Sequence, residues 1–144
     1  MPKVFHLKET RNRPAMQIEG ESQAGVRLVF RPPNRPKKNV LFNIPRARKL
    51  DDEIPALTPR RIPNVTISNM SLINQSPFAD SGIIHAEDTS LALQNLSIEA
   101  GGYGVYGEDL HDSYYENIGV RRARTGFIDV RGKRNIYSNV YGLD

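Results

Sequence analysis

The chain has 144 residues, of which 25% are charged and 38% hydrophobic, and it contains no cysteine. This length suits one domain with a hydrophobic core, and the absence of cysteine excludes disulfides and thiolate metal sites in these residues. No apolar run approaches the roughly 20 residues of a membrane-spanning helix, and the charged N-terminus lacks the apolar core of a Sec signal peptide.

Charge is distributed unevenly along the chain. Residues 1–62 carry 14 Lys and Arg against 6 Asp and Glu, whereas residues 63–144 carry 6 against 10. A basic first part joined to an acidic second part favours head-to-tail contacts between copies, or a basic arm laid on an acidic partner. A solvated basic surface is the alternative interpretation.

The pattern of residues 1–63, short alternating stretches separated by basic, proline-rich segments, predicts extended structure interrupted by loops. Residues 1–24 are interpreted as an N-terminal arm or cap. Residues 25–63 are interpreted as a degenerate first coil, in which 25–30 and 39–45 are strand-like. The segments 31–38 and 46–63 hold three prolines each, which predicts loops. A loop as long as 46–63 is usually functional or involved in a contact.

Residues 64–144 are dominated by an internal repeat. Glycines at 82, 104 and 126 and asparagines at 95, 117 and 139 both recur every 22 residues. The asparagine series continues backward with a longer step from Asn95 to Asn69, and the same longer step again reaches Asn43, which predicts an earlier coil through Asn43. A fixed period of this size is typical of stacked structural units.

Apolar and polar residues alternate on both sides of each asparagine and after each glycine, which predicts three short strands per coil. Equivalent residues recur one coil later, so equivalent strands stack in parallel, about 4.8 Å apart. Asparagine side chains at one bend would hydrogen-bond their neighbours above and below. The predicted inward residues include Val65, Ile67, Met70, Leu72, Ile83, Leu91, Leu93, Leu96, Ile98, Val105, Tyr115, Ile118, Val120, Phe127 and Val140, with Ile83, Val105 and Phe127 at equivalent positions of successive coils.

The predicted fold class is therefore all-β: a short parallel β-helix of about four coils of 22–26 residues, with an extended N-terminal arm and a proline-rich insertion. The repeats of residues 64–144, and the segment NVTISNMSLIN at 64–74 above all, resemble right-handed parallel β-helix repeats of the pectate-lyase-like superfamily. The resemblance covers about residues 64–144 and implies a right-handed helix with a stacked-asparagine bend. That superfamily includes polysaccharide lyases, hydrolases and epimerases, and also bacteriophage tailspikes and other virion proteins.

One acidic stretch is the only candidate for catalysis that the resemblance suggests. The family's hydrolases use motifs of the types N-T-D, G-H-G and R-I-K, which do not occur in this sequence. Its lyases use an acidic Ca²⁺ site beside a basic residue, and the nearest match is GEDLHD at 107–112 with one further acid and one cation a coil later. The candidates for a lyase or Ca²⁺ site are Glu108, Asp109, Asp112, Asp129 and Arg131. A solvated acidic bend is the alternative, and no cofactor is predicted.

The outward positions predict contact surfaces instead. An outer apolar stripe is expected at Ile84, Tyr106 and Ile128, and a second at Tyr114 and Ile136. These stripes suit another protomer, sugar rings, or the chain's own 46–63 segment. The cations expected to hold an acidic neighbour are Arg31, Arg35, Lys37, Lys38, Arg46, Arg48 and Lys49.

These features together predict a non-enzymatic structural protein. The concrete version is a subunit of a multi-copy particle or fibre, such as a phage capsid decoration, cement or tail-associated protein, forming homo-oligomers in a virion or extracellular surface assembly. The alternative is a carbohydrate-active or carbohydrate-binding module for acidic polysaccharide. A membrane partner is not expected, and nucleic-acid binding is disfavoured because the basic arm lacks interleaved aromatic residues.

Overall fold

The computed structural model describes residues 5–6, 16–31, 39–46 and 65–143, without the side chains of residues 5, 6 and 143. Within these ranges all regular structure is β-strand, and no helix long and apolar enough to cross a membrane is found. The strands are β1 (Phe5–His6), β2 (Met16–Glu19), β3 (Arg27–Phe30), β4 (Val40–Ile44), β5 (Val65–Asn74), β6 (Gly82–Glu87), β7 (Leu91–Glu99), β8 (Tyr103–Glu108), β9 (Tyr114–Arg121), β10 (Thr125–Val130) and β11 (Ile136–Leu143).

The strands form two parallel sheets that face each other across one core. The first sheet has the order β1-β4-β6-β8-β10, and the second has the order β11-β9-β7-β5-β2, with β3 also paired to β5. From β4 onward, successive strands alternate between the sheets, so each coil contributes one strand to each. The predicted parallel β-solenoid of about four turns is thereby confirmed. Each coil has two strands rather than the predicted three, because one strand continues through the asparagine bend.

Asparagine makes that bend possible at four successive levels. Asn69, Asn95, Asn117 and Asn139 all adopt left-handed backbone conformations, with φ between 52° and 57°. Asparagine tolerates this region better than other residues with a Cβ, because its short polar side chain can hydrogen-bond locally. The bend re-aims the strand, so the residues at positions −2 and +1 from the asparagine both point inward.

The predicted asparagine stack is a continuous hydrogen-bonded ladder. The Nδ2 of Asn139 donates to Oδ1 of Asn117 at 3.0 Å, Asn117 donates to Asn95 at 3.0 Å, and Asn95 donates to Asn69 at 2.9 Å. Asn69 in turn donates to Oε1 of Glu19 at 3.4 Å. Glu19 pairs in register with Ser68, one position before the ladder, and its side chain takes the hydrogen bond that an asparagine would accept in the first coil. The expectation that Asn43 would continue the asparagine series is wrong. Asn43 lies in β4 of the first sheet, where it pairs in register with His85 of β6.

The core of the second sheet agrees with the sequence expectation. Leu93, Leu96 and Ile98 are fully buried, as are the equivalent residues one coil earlier. Each such side chain contributes roughly 1.5–3 kcal/mol by leaving water. The register from β7 to β9 and from β9 to β11 has the same step as the sequence repeat, as predicted.

The register of the first sheet differs from the prediction by one position. Ile84, not Ile83, lies opposite Val105, so the step from β6 to β8 is shorter by one position than the step from β8 to β10. The physical reason is the length of the turn that leads from the first sheet to the second. Four residues lie between positions 87 and 92, whereas five lie between 108 and 114, which are the equivalent positions one coil later. Ile84 is consequently 0% exposed and belongs to the core, so its assignment to an outer stripe is wrong.

Replacing Asn117 by alanine should lower the free energy of unfolding by about 2–4 kcal/mol. The variant leaves the side-chain amides of Asn95 and Asn139 without their hydrogen bonds to residue 117, which costs about 1–3 kcal/mol. It also places alanine, which has no polar side chain to hydrogen-bond locally, in a left-handed conformation with φ 53°. Asn117→Gly loses the same hydrogen bonds but tolerates the backbone, so it should lose less. Urea unfolding of the two variants measures the difference, and equal stabilities would contradict the role of the left-handed bend.

Candidate functional site

A column of charged residues lines the turn that follows the first sheet. Extending the register beyond the paired strands places Arg46, Asp88, Asp109 and Arg131 at one position in four successive coils. The last three have positive φ, between 48° and 56°, so this turn bends the chain in the same way at each level. Stacking therefore brings together charges that lie far apart in the sequence.

Arg131 joins two of the predicted site carboxylates. Its Nε donates to Oδ1 of Asp109 at 2.7 Å, and its Nη2 donates to Oδ2 of Asp109 at 2.9 Å and to Oε1 of Glu108 at 2.5 Å. Arg46 donates to the same Asp109 carboxylate. Hydrogen bonds from Arg131 and Arg46 hold the pKa of the Asp109 carboxyl well below its usual range, and Asp109 raises the pKa of Arg131. The structure thus brings Glu108, Asp109 and Arg131 together.

Asp112 and Asp129 lie in other environments. Asp112 accepts a bidentate pair from Arg134, at 2.6 Å from Nε and 2.9 Å from Nη2, and Arg134 lowers the pKa of the Asp112 carboxyl. Sequence reasoning overlooked Arg134, although it follows Asp112 by the same step that separates Arg131 from Asp109. Asp129 occupies an inward position of the last coil and accepts hydrogen bonds from Asn135 at 2.9 Å and from the hydroxyl of Tyr137 at 3.1 Å.

This arrangement neutralises the carboxylates with guanidinium groups. Asp109 is bonded on both oxygens, and Asp112 is likewise bonded on both oxygens. Among the residues that the structure describes, no group of three or more His, Asp or Glu side chains could hold a metal ion. The column therefore gives no geometric support to the Ca²⁺ hypothesis and acts as a set of ion pairs between coils.

A serine, a histidine and two aspartates also meet beside the column, which the sequence did not predict. The ring nitrogens of His111 lie 3.9 Å from carboxylate oxygens of Asp88 and Asp112, and Nδ1 lies 3.4 Å from Oγ of Ser90. Ser90 is only 1% exposed, and its hydroxyl donates to the backbone carbonyl of His111. This hydroxyl is therefore inaccessible to a substrate and its proton faces a carbonyl, which is unsuited to a nucleophile.

The basic residues expected to hold a partner divide into two groups. Arg31 is exposed at the end of β3, while Arg46 is part of the charged column. The remaining predicted cations lie outside the described residues: Arg35, Lys37, Lys38, Arg48 and Lys49.

The outer face of the first sheet carries an aromatic group. Tyr106 and Ile128 lie opposite each other and are half-buried. The Tyr106 ring lies 4.9 Å from that of His85 and 5.9 Å from that of Tyr103. Tyr103 lies over Gly82, where a Cβ would meet its ring, and burial raises the pKa of Tyr103 to about 12. His85 therefore takes the place in this stripe that was expected for Ile84.

Within the described part of the chain, part of the core is left uncovered at the last coil. Its inward residues Phe127 and Tyr137 pack with Tyr115 of the preceding coil, at ring distances of 5.4 and 4.7 Å, and with each other at 5.7 Å. Tyr137 nevertheless remains 44% exposed. We call this the C-terminal end surface and define it by the inward side of the last coil: Gly126, Phe127, Tyr137, Val140 and Gly142. On the outer face of the same coil, Ile136 lies opposite the half-buried Tyr114 and is 58% exposed.

Comparison with known proteins gives no family: no family model, no curated protein and no solved structure matches this chain. The parallel β-solenoid rests on the strand pairing itself.

Replacing Asp109 by asparagine should lower stability at neutral pH and lose its effect in acid. The pKa of the Asp109 carboxyl is lower in the folded chain than in the unfolded chain. The ionised carboxylate therefore stabilises the folded state above about pH 4, and this stabilisation is lost as the pH falls toward the pKa of the folded state. Because the pair is solvent-exposed, added salt should also narrow the difference. Urea midpoints of the variant and wild type across pH measure this. Asp80→Asn, at an exposed turn carboxylate, is the matched control. A gap that persists unchanged at acid pH would contradict the ion-pair role.

Proposed function

We propose that this chain is a non-enzymatic structural subunit of a multi-subunit assembly. The proposal rests on the position of the exposed large apolar side chains, most of which lie at the two ends of the solenoid. Of the six exposed in the described part of the chain, Ile136, Tyr137 and Tyr141 belong to β11, and Met16 and Val29 belong to the first coil. Exposed apolar side chains concentrated at the two ends of a solenoid favour contacts with other subunits.

The state of the polar residues supports a structural role. An acid–base catalyst needs a group that can exchange a proton near the working pH. The carboxylates of Asp109 and Asp112 are instead paired with arginine side chains of other coils, and the Ser90 hydroxyl is buried. Ion pairs that link successive coils suit a rigid building block.

A multi-copy particle or fibre, such as a phage capsid decoration, cement or tail-associated protein of a virion or extracellular surface, is the concrete form of this proposal. Copies would contact each other through the outer face of β11, which carries Ile136, opposite Tyr114 at the start of the strand, and Tyr141 further along it.

Self-association of the purified chain should depend on Ile136. The wild type should sediment as a growing species as its concentration rises, and Ile136→Lys should remain a monomer because a charge replaces an exposed apolar contact. Gln75→Lys adds the same charge at an exposed residue of a turn between the sheets and should behave as the wild type. Sedimentation velocity makes the comparison. A wild type that stays monomeric throughout would reject contacts between copies.

A carbohydrate-binding module for acidic polysaccharide is the second candidate, and the aromatic group around Tyr106 favours it. Sugar rings stack on exposed aromatic faces, and Tyr106 is partly exposed beside His85. Tyr106→Ala should then abolish binding of uronate oligomers in calorimetric titration while leaving the unfolding midpoint nearly unchanged. The lyase version predicts Ca²⁺-dependent absorbance from unsaturated product. Absence of both signals in the wild type would remove this candidate.

A further inference from the structure

The asparagine ladder has a direction. Every amide in it donates toward the N-terminal end of the solenoid, from Asn139 to Asn117, then to Asn95, and so on to Asn69. Asn139 is therefore a donor only, and within the described residues no donor reaches its Oδ1. The C-terminal end of the ladder consequently offers a hydrogen-bond acceptor to whatever lies over it.

The N-terminal end of the ladder also offers acceptors. Glu19 takes the amide of Asn69 on Oε1 at 3.4 Å and that of Gln17 on Oε2 at 3.1 Å. An ionised carboxylate accepts hydrogen bonds and has none to donate. If one copy placed its first coil on the last coil of another, the Glu19 carboxylate would face the Asn139 carbonyl oxygen. Two acceptors would then meet without a proton between them, which opposes head-to-tail stacking of identical copies.

The backbone and core of the last coil are arranged for one more strand. β11 pairs in parallel with β9 over its length. Among the described strands it is the terminal one of its sheet, and none of them pairs with its other edge, which presents backbone groups. Inside, the stacked position Leu72, Ile98, Val120 and Gly142 loses its side chain at the last level, and a Cβ on Gly142 would meet nothing within 4 Å. This leaves room for an apolar side chain from a following layer.

The charges around this end favour an acidic partner. Arg121, Arg124 and Lys133 are exposed near the last coil, whereas Asp129 is bonded to Asn135 and Tyr137. A strand that carries a carboxylate at its flank would meet cations there, and an additional basic strand would be repelled.

We propose that the outer edge of β11 takes a parallel strand from a different polypeptide, with an asparagine amide over Asn139. The partner segment would place apolar residues two before, one after and three after that asparagine, as Leu93, Leu96 and Ile98 are placed around Asn95. It would also carry an acidic flank. The inference rests on the proposed structural role and names the chemistry of the partner that this role requires. It concerns the end edge of the solenoid, while contacts between copies use the outer face of β11.

A nine-residue peptide of the chain's own β7 sequence, LALQNLSIE, is a suitable probe because it has this pattern and ends on an acid. Binding of the labelled peptide to dilute protein is measured by fluorescence anisotropy, and hydrogen exchange locates the site. The matched probe LALQDLSIE has an aspartate in place of the asparagine. It therefore presents to Asn139 a carboxylate like that of Glu19, which can accept but not donate a hydrogen bond. Both probes are also tested on the Ile136→Lys variant, whose outward substitution blocks contacts between copies without touching the ladder.

The asparagine probe should bind and slow amide exchange across residues 136–143, on the wild type and on the Ile136→Lys variant alike. The aspartate probe should bind at least about tenfold more weakly, because it loses one hydrogen bond and sets two acceptors together. Equal affinity of the two probes, no binding by the asparagine probe, or protection at β2 and β3 instead of β11 would overturn the inference. Self-association abolished by Ile136→Lys, together with an asparagine probe that fails to bind, would leave the structural role standing and reject only the strand partner.

Discussion

The left-handed bend at the stacked asparagines is the constraint on which the rest of the solenoid depends. Each asparagine turns its strand so that apolar residues on both sides of the bend face the same interior, and its amide fixes the height of one coil on the next. If the bend were lost at one level, the inward side chains after it would move toward solvent. A single side-chain type therefore sets the backbone, the vertical register and the core of the second sheet together.

Stacking with a fixed register has an electrostatic cost that the charged column offsets. Every coil places its turn residues directly over those of its neighbours, so Asp88 and Asp109 are neighbours in one column. Arginines occupy the same position at both outer levels, Arg46 before and Arg131 after, and both contact Asp109. The acidic turn that resembles a metal or catalytic site in the sequence is thus balanced by residues of other coils.

The sequence predicts the second sheet well and the first sheet poorly, for a physical reason. Around each asparagine the spacing to the inward residues is short and invariant, so Leu93, Tyr115 and Ile118 could be placed from the repeat alone. Turn length is not fixed by such a marker, and one extra residue in the turn after β8 exchanges Ile83 for Ile84 as the partner of Val105. The pairing of Asp109 with Arg131 was predictable because both turns share the step of the repeat, and Arg134 follows the same rule.

The ladder also explains why the two ends of this solenoid are not interchangeable. A stack of identical amides could be extended at either end, since each level offers one donor and one acceptor. Here the ladder meets the Glu19 carboxylate, which reaches Asn69 from the strand position beside Ser68. An ionised carboxylate accepts hydrogen bonds and has none to donate, so a further acceptor would find no donor on that side. At the last level Asn139 still presents its carbonyl oxygen, next to the space above Gly142. Because every amide donates toward the N-terminal end, the acceptor that remains without a donor among the described residues is at the other end, in the coil where Gly142 has no side chain.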